Sequence, residues 1–119
     1  AMIGCPARLW LFTAPTDLRK SYDGLSGLVR SALGQDPLRG EGFVFVNRRR
    51  TQLKLLYFDA GGYCIWSKRL ERGEFGVRHG TEATGRRLGT TEFQAAIEGL
   101  DLEIRRRRRR WQPPVDRAA

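Results

Sequence analysis

Histidine is almost absent from this chain: His79 is the only one among 119 residues, in a glycine-rich, charged stretch that reads as a surface loop. A multi-histidine metal centre or a Ser-His relay would have to be built from a single imidazole, which excludes the common versions of both. Cysteine is nearly as scarce. Cys5 and Cys64 stand far apart without the paired CxxC spacing of a zinc site, so both are expected to be free thiols and no metal or other cofactor is expected. No apolar run approaches the roughly 18 residues that a membrane span requires. Residues 3–12 are interrupted by Gly4, Pro6 and Arg8, unlike the apolar core of a signal peptide. The expectation is a cytoplasmic protein with no membrane partner. Neither a GxxxxGK[ST] phosphate loop nor a strand-linked GxGxxG sequence is present, so nucleotide-driven chemistry has no support.

What the chain does carry is positive charge. There are 22 basic and 13 acidic side chains, a formal net charge of +9, and 19 of the basic residues are arginine. The excess is uneven: residues 1–104 hold 15 basic and 12 acidic groups, and the remainder is dominated by the unbroken run Arg105, Arg106, Arg107, Arg108, Arg109 and Arg110. Such a run reads either as a solvated tail or as a phosphate-binding arm. Arginine forks bind phosphate oxygens in pairs, which favours nucleic acid as the partner.

Periodicity predicts a small α+β fold, in the order β-α-β-β-β-α, in which an antiparallel sheet is packed by two helices. The sheet is a β-meander plus an N-terminal strand. Residues 8–12 form the first strand, stopped by Pro15. From Ser21 onward, Tyr22, Leu25, Leu28, Val29, Ala32 and Leu33 recur at helical spacing, with Ser26 and Arg30 on the opposite face and Gly34 as the stop. Residues 42–46 are aromatic and β-branched on both alternating faces, as in a central strand covered on both sides. The polar tip Asn47-Arg48-Arg49-Arg50 leads into a partner strand over 51–58, and a turn at 59–62 into a third over 63–66, after which Lys68-Arg69-Leu70-Glu71-Arg72-Gly73 returns to polar chain. Residues 74–89 offer only Phe75 and Val77 to a core, with room for one short strand. Thr90 or Thr91 is the expected cap of a second helix bearing Phe93, Ala96, Ile97 and Leu100, with Gly99 near its end. The domain is expected to span 2–104, followed by a basic, flexible tail over 105–119.

Catalysis has little to stand on. The carboxylates Asp17, Asp23, Asp59 and Glu71 fall at expected turns and helix starts, where acids serve as caps and turn formers. Gln52-Leu53-Lys54 has the alternation of a nuclease strand but no well-placed upstream acid, so no enzyme activity is expected. Binding is better supplied. Arg48, Arg49 and Arg50 at a hairpin tip are suited to phosphate or groove contact, and Lys68, Arg69 and Arg72 leave the neighbouring strand at what the meander makes the same end. Tyr57, Tyr63 and Trp66 suit either base stacking or the core, and strand spacing favours the core.

The order of motifs carries more. Thr16-Asp17-Leu18-Arg19-Lys20-Ser21-Tyr22-Asp23-Gly24-Leu25 is followed by Phe43-Val44-Phe45-Val46-Asn47-Arg48-Arg49-Arg50, then Lys54, Asp59 and Lys68-Arg69-Leu70-Glu71-Arg72-Gly73. This pattern resembles the TnpB-type accessory protein, encoded by the second open reading frame, of insertion-sequence family sixty-six. It is distinct from the RNA-guided nuclease that shares those letters. The resemblance covers about residues 3–102 and implies a role in bacterial DNA transposition beside a separate, element-encoded transposase that holds the acidic catalytic site. DNA and that transposase are the implied partners. Arg19, Lys20, Arg48, Lys54, Lys68 and Arg69 fall within the shared pattern, as do Asp17, Asp23, Gly24, Asn47, Asp59, Leu70, Glu71 and Gly73. Tyr57-Phe58 stands where the family usually shows a tryptophan before the aspartate, and the six-arginine run lies outside the pattern. Two functions follow as expectations: a DNA-binding accessory protein, or an adaptor that docks on the transposase and has only nonspecific affinity for nucleic acid.

Overall fold

The computed structural model describes residues 6–98. Alternation of apolar side chains builds one open sheet from five strands, β1 (Leu9–Phe12), β2 (Gly42–Val46), β3 (Gln52–Asp59), β4 (Gly62–Arg69) and β5 (Gly85–Leu88), in the spatial order β4-β3-β2-β1-β5. Helix α1 (Tyr22–Ser31) connects β1 to β2, and helix α2 (Thr90–Ile97) follows β5. A helical crossover returns the chain in the same direction, so β1 and β2 pair in parallel, whereas the other three pairings are antiparallel.

β2 is central and all five of its residues are buried, because each face of the sheet is covered. Phe43 and Phe45 point to one face, where Leu25 and Val29 of α1 join Phe12, Leu18 and Leu56. Val44 and Val46 point to the other, where Phe93 and Ala96 of α2 join Leu9, Leu11, Leu53, Leu55 and Tyr57. Phe75 and Val77 seal this second cluster from the loop after β4, as their apolar character predicts. Gly42 permits a close approach: a Cβ there would stand 2.6 Å from Leu9 Cδ2 and 2.9 Å from Leu55 Cδ1, so both buried leucine ends would have to shift.

Several local expectations change. The strand that residues 74–89 have room for is β5, which pairs with β1 through Leu9↔Leu88 to Phe12↔Gly85. Few side chains announce it, because it is an edge strand with a single buried residue, Leu88. β4 runs on to Arg69 instead of ending at Trp66, since the ladder with β3 continues through Leu53↔Lys68 and Gln52↔Arg69. Charged side chains are tolerated there on a sheet edge. Ser26 is buried beside Leu25 and Val29, its hydroxyl satisfied by donating to the Asp23 carbonyl at 3.1 Å. Tyr22, at the first position of α1, is instead exposed. Neither Thr90 nor Thr91 caps α2. The N-cap is Gly89, whose N–H donates to the Glu92 carboxylate at 2.9 Å. Gly99, Leu100 and the tail over 105–119, with its six arginines, lie outside the described residues.

Candidate nucleic-acid interface

The β2–β3 tip is shaped by Asn47. Its side-chain oxygen accepts from the N–H groups of Thr51 (2.9 Å) and Gln52 (3.0 Å), its amide donates to the Thr51 hydroxyl (3.1 Å), and its carbonyl accepts from Arg50 N–H (3.0 Å). One short polar side chain thereby satisfies a turn that has no sheet partner. The turn forces Arg50 into the left-handed region at φ 61°, and its guanidinium swings onto Glu74 (2.8 Å) and the Val77 carbonyl (3.3 Å). Phe75 N–H donates to the Arg50 carbonyl at 2.7 Å, so the loop after β4 is fastened to the tip. Arg48 and Arg49 are left exposed, with no ion pair among the described residues.

A second segment packs against this tip. After β1 the chain bends at Pro15, and Thr16 N–H donates to the Val46 carbonyl at 2.9 Å, which prolongs the line of β2. Leu18 is buried in the core beneath α1 and anchors the loop, so Asp17 and Arg19 on either side face outward. Between this loop and the tip lies a cleft of about 530 Å³, lined by Pro15, Thr16, Asp17, Leu18, Arg19, Asn47, Arg48, Arg49 and Gln52. Two motifs thirty residues apart thus form one surface. Asp17 accepts from Arg19 through both oxygens, with Nη2 at 2.6 Å and Nε at 3.0 and 3.1 Å, and also from the Arg19 N–H at 3.0 Å. Those hydrogen bonds hold the Asp17 carboxyl well below the ordinary carboxylate range, and the same carboxylate raises the Arg19 guanidinium. Asp17 stands near Gln52, but its oxygens are engaged by arginine. Among the described residues, no group of three or more His, Cys, Asp or Glu is arranged to hold a metal ion.

The other basic candidates divide by strand alternation. Gln52, Lys54 and Arg69 share the α1 face with the cleft, and Lys54 Nζ donates to the Lys20 carbonyl at 2.9 Å, bracing the segment that enters α1. Lys20 itself is exposed beside it. Arg69 is exposed and sits 3.4 Å from Glu71, while Arg72 is exposed in the following loop. Lys68 lies on the opposite face, where Nζ donates to the Ile97 carbonyl at the C-terminal end of α2 (2.9 Å). Of the aromatic candidates, Tyr57 is buried, Trp66 packs edge-on against Phe93 at 6.0 Å and Tyr63 against Phe58 at 5.4 Å, as core residues do.

Some contributors have no clear signal in the sequence. His79 is half-buried instead of a surface loop residue: its Nε2 donates to the Asn47 carbonyl at 2.9 Å and buttresses the tip, and its Nδ1 is buried without a hydrogen-bond partner among the described residues. Arg87 lies 5.3 Å over the Trp10 ring, and Arg86 is 3.6 Å from Glu92. Both sit on β5, the strand whose place the sequence does not specify.

Among the described residues no helix is long and apolar enough to cross a membrane. No solved structure matches the chain. Two proteins of Sinorhizobium fredii do: "Uncharacterized protein y4hO" is 32% identical over 110 residues, covering 92% of this chain and 93% of that protein. "Uncharacterized protein y4jC" is 35% identical over 94 residues, covering 79% and 80%. The family model described as "IS66 Orf2 like protein" matches residues 7–107, a span that includes the loop, the hairpin and the cleft between them. The chain therefore belongs to the IS66 Orf2-like family, the accessory proteins associated with that insertion sequence.

Proposed function

We propose that this protein binds DNA as an accessory factor of transposition and acts beside a separate transposase, with backbone phosphates received at the cleft between the 15–19 loop and the Arg48-Arg49 tip. The observation that supports this reading is the pairing of two exposed arginines, unmatched by carboxylates among the described residues, with the rim of a polar cleft. Phosphate oxygens are the natural acceptors for such groups, because guanidinium forks match their geometry and released counterions drive the association. Arg19 lies on the facing wall, already oriented by Asp17, and Arg69 extends the positive surface along the same face of the sheet.

The test is DNA binding across a salt series, comparing element-end with scrambled duplexes, for the full chain and for a chain ending at Ile104. The expected result is that the shortened chain retains binding and a preference for element ends, and that the Arg48→Ala/Arg49→Ala variant flattens its salt dependence. Loss of all binding on removing residues 105–119 would assign the affinity to the arginine run and leave the folded part as a protein adaptor.

A further inference from the structure

The two edges of the sheet are built differently. β5 is four residues long and carries Arg86 and Arg87, the brevity and charge that normally discourage pairing with another chain. β4 is eight residues long, pairs with β3 in unbroken register, and has no proline or bulge. Its phase is fixed at both ends. The two-residue turn Ala60-Gly61, with φ of 51° and 82°, closes on the pair Asp59↔Gly62, and Leu70 N–H donates to the Thr51 carbonyl at 2.7 Å. Antiparallel hydrogen bonding alternates, so the backbone of Gly62, Cys64, Trp66 and Lys68 faces β3. The N–H and C=O groups of Tyr63, Ile65, Ser67 and Arg69 face away from the sheet, with no strand against them among the described residues.

We infer that this edge pairs with the β4 edge of a second copy of the chain, antiparallel about a two-fold axis at Ile65, to make one continuous sheet across the dimer. An antiparallel pair must match outward-facing groups with side chains on the same face, and the register centred on Ile65 does so over the whole strand. It sets Tyr63 opposite Ser67 and Cys64 opposite Trp66, apolar or neutral in each case. The charges also agree. Lys68 falls beside the partner's Gly62, whose β3 neighbour on the same face is the exposed carboxylate of position 59, whereas parallel pairing would stack Lys68 on Lys68 and Arg69 on Arg69. The axis is perpendicular to the sheet, so both clefts open on the same side, one at each end.

The experiment uses the full chain, nuclease-treated and at high salt so that nucleic acid cannot bridge copies. Its mass is measured in solution across a concentration series, for the natural sequence and for Ser67→Pro. Ser67 is exposed and its N–H points outward, so proline removes an edge donor without breaking the β3–β4 ladder. The expected result is a dimer whose dissociation constant rises roughly tenfold or more in Ser67→Pro, because symmetry repeats the loss at two sites, with the melting temperature unchanged at dilutions where both chains are monomeric. In a Cys5→Ser background, a short bismaleimide is expected to join the two copies through Cys64, across roughly 7–8 Å diagonally. A natural chain that stays monomeric overturns the inference, as does a dimer that survives Ser67→Pro. A monomer whose capture by the transposase is lost in Ser67→Pro also overturns it, in favour of a strand from that protein. If Ser67→Pro melts early, the Cys64 cross-link decides: its formation supports the pairing and its absence refutes it.

Discussion

Lys68 and Arg69 are adjacent in the chain, yet strand alternation sends them to opposite faces of the sheet, where they meet different fates. On the α2 face Lys68 donates to the Ile97 carbonyl at the end of the helix, and its charge serves the fold. On the α1 face Arg69 lies with Gln52 and Lys54 along the strand ends that lead to the cleft, and its guanidinium stays in water. The tip repeats the contrast within three identical residues: Arg50 is bound to Glu74 and Val77, while Arg48 and Arg49 are not. Charge count alone therefore overstates what is available to a polyanion. Which cations are free depends on face parity and on the hydrogen bonds of one turn.

The largest effects are expected from the core beneath each face. Leu55 and Leu56 are both fully buried, on the α2 and α1 faces respectively. Either residue changed to alanine is expected to lower stability by about 2–5 kcal/mol in denaturant unfolding. Only Leu56→Ala is expected to weaken DNA binding beyond its stability loss, because Leu56 shares a cluster with Leu18, the anchor of the cleft loop. Equal effects on binding would mean that the cleft face has no privileged role.

Next in size is the double change Arg48→Ala/Arg49→Ala. The slope of log affinity against log salt is expected to fall by about 2, near 0.9 for each phosphate that is no longer neutralised, with stability altered by less than about 0.5 kcal/mol. Arg50 sharpens the point from the other side. Arg50→Ala removes the Glu74 and Val77 bonds and keeps a strained φ, so a stability loss of about 1–2 kcal/mol is expected, with the salt slope retained. Arg50→Gly relaxes the backbone and is expected to recover about 1 kcal/mol of it. A melting series on the two variants separates the side chain from the turn.

A smaller effect is expected for the adjacent pair on β4. Lys68→Met should cost under about 1 kcal/mol of stability, the usual worth of a cation at a helix C-terminus, without changing the salt slope. Arg69→Gln should do the reverse. The smallest effect is that of pH on Asp17. Its carboxyl is held low in the folded chain, so its contribution is fully present above the ordinary value of 3.8 and is lost as pH falls below it through the lowered folded value. A carboxyl-carbon NMR titration is expected to find Asp17 still ionised below the ordinary value of 3.8; titration at that ordinary value would show that Arg19 is not held.

Much of this was legible in the chain because it is local. β2 reads as central from its unbroken apolar run, α1 from its spacing, the turn at 59–62 from its glycines, and Phe75 and Val77 stand out as core candidates in a polar stretch. The arginine tip and the DxRK segment are visible as motifs, and their order led to the family. What stayed hidden depends on partners distant in sequence. β5 exists because β1 offers an edge, not because Gly85-Arg86-Arg87-Leu88 prefers to be a strand. His79 is half-buried only because the loop after β4 folds back onto Asn47. Ser26 reads as polar and is buried, since a hydroxyl in a helix can bond the preceding turn.

A small α+β protein with a strong positive charge and the motif order of a transposition-associated family can be read from the amino acids alone, because composition, periodicity and turn chemistry act over a few neighbouring residues. Long-range packing is what places Asp17 and Arg19 in one cleft with Arg48 and Arg49, engages Arg50 and Lys68 elsewhere, and leaves β4 at an edge with no strand against it among the described residues. Those are outcomes of strand register and of long-range hydrogen bonds, which no local pattern encodes.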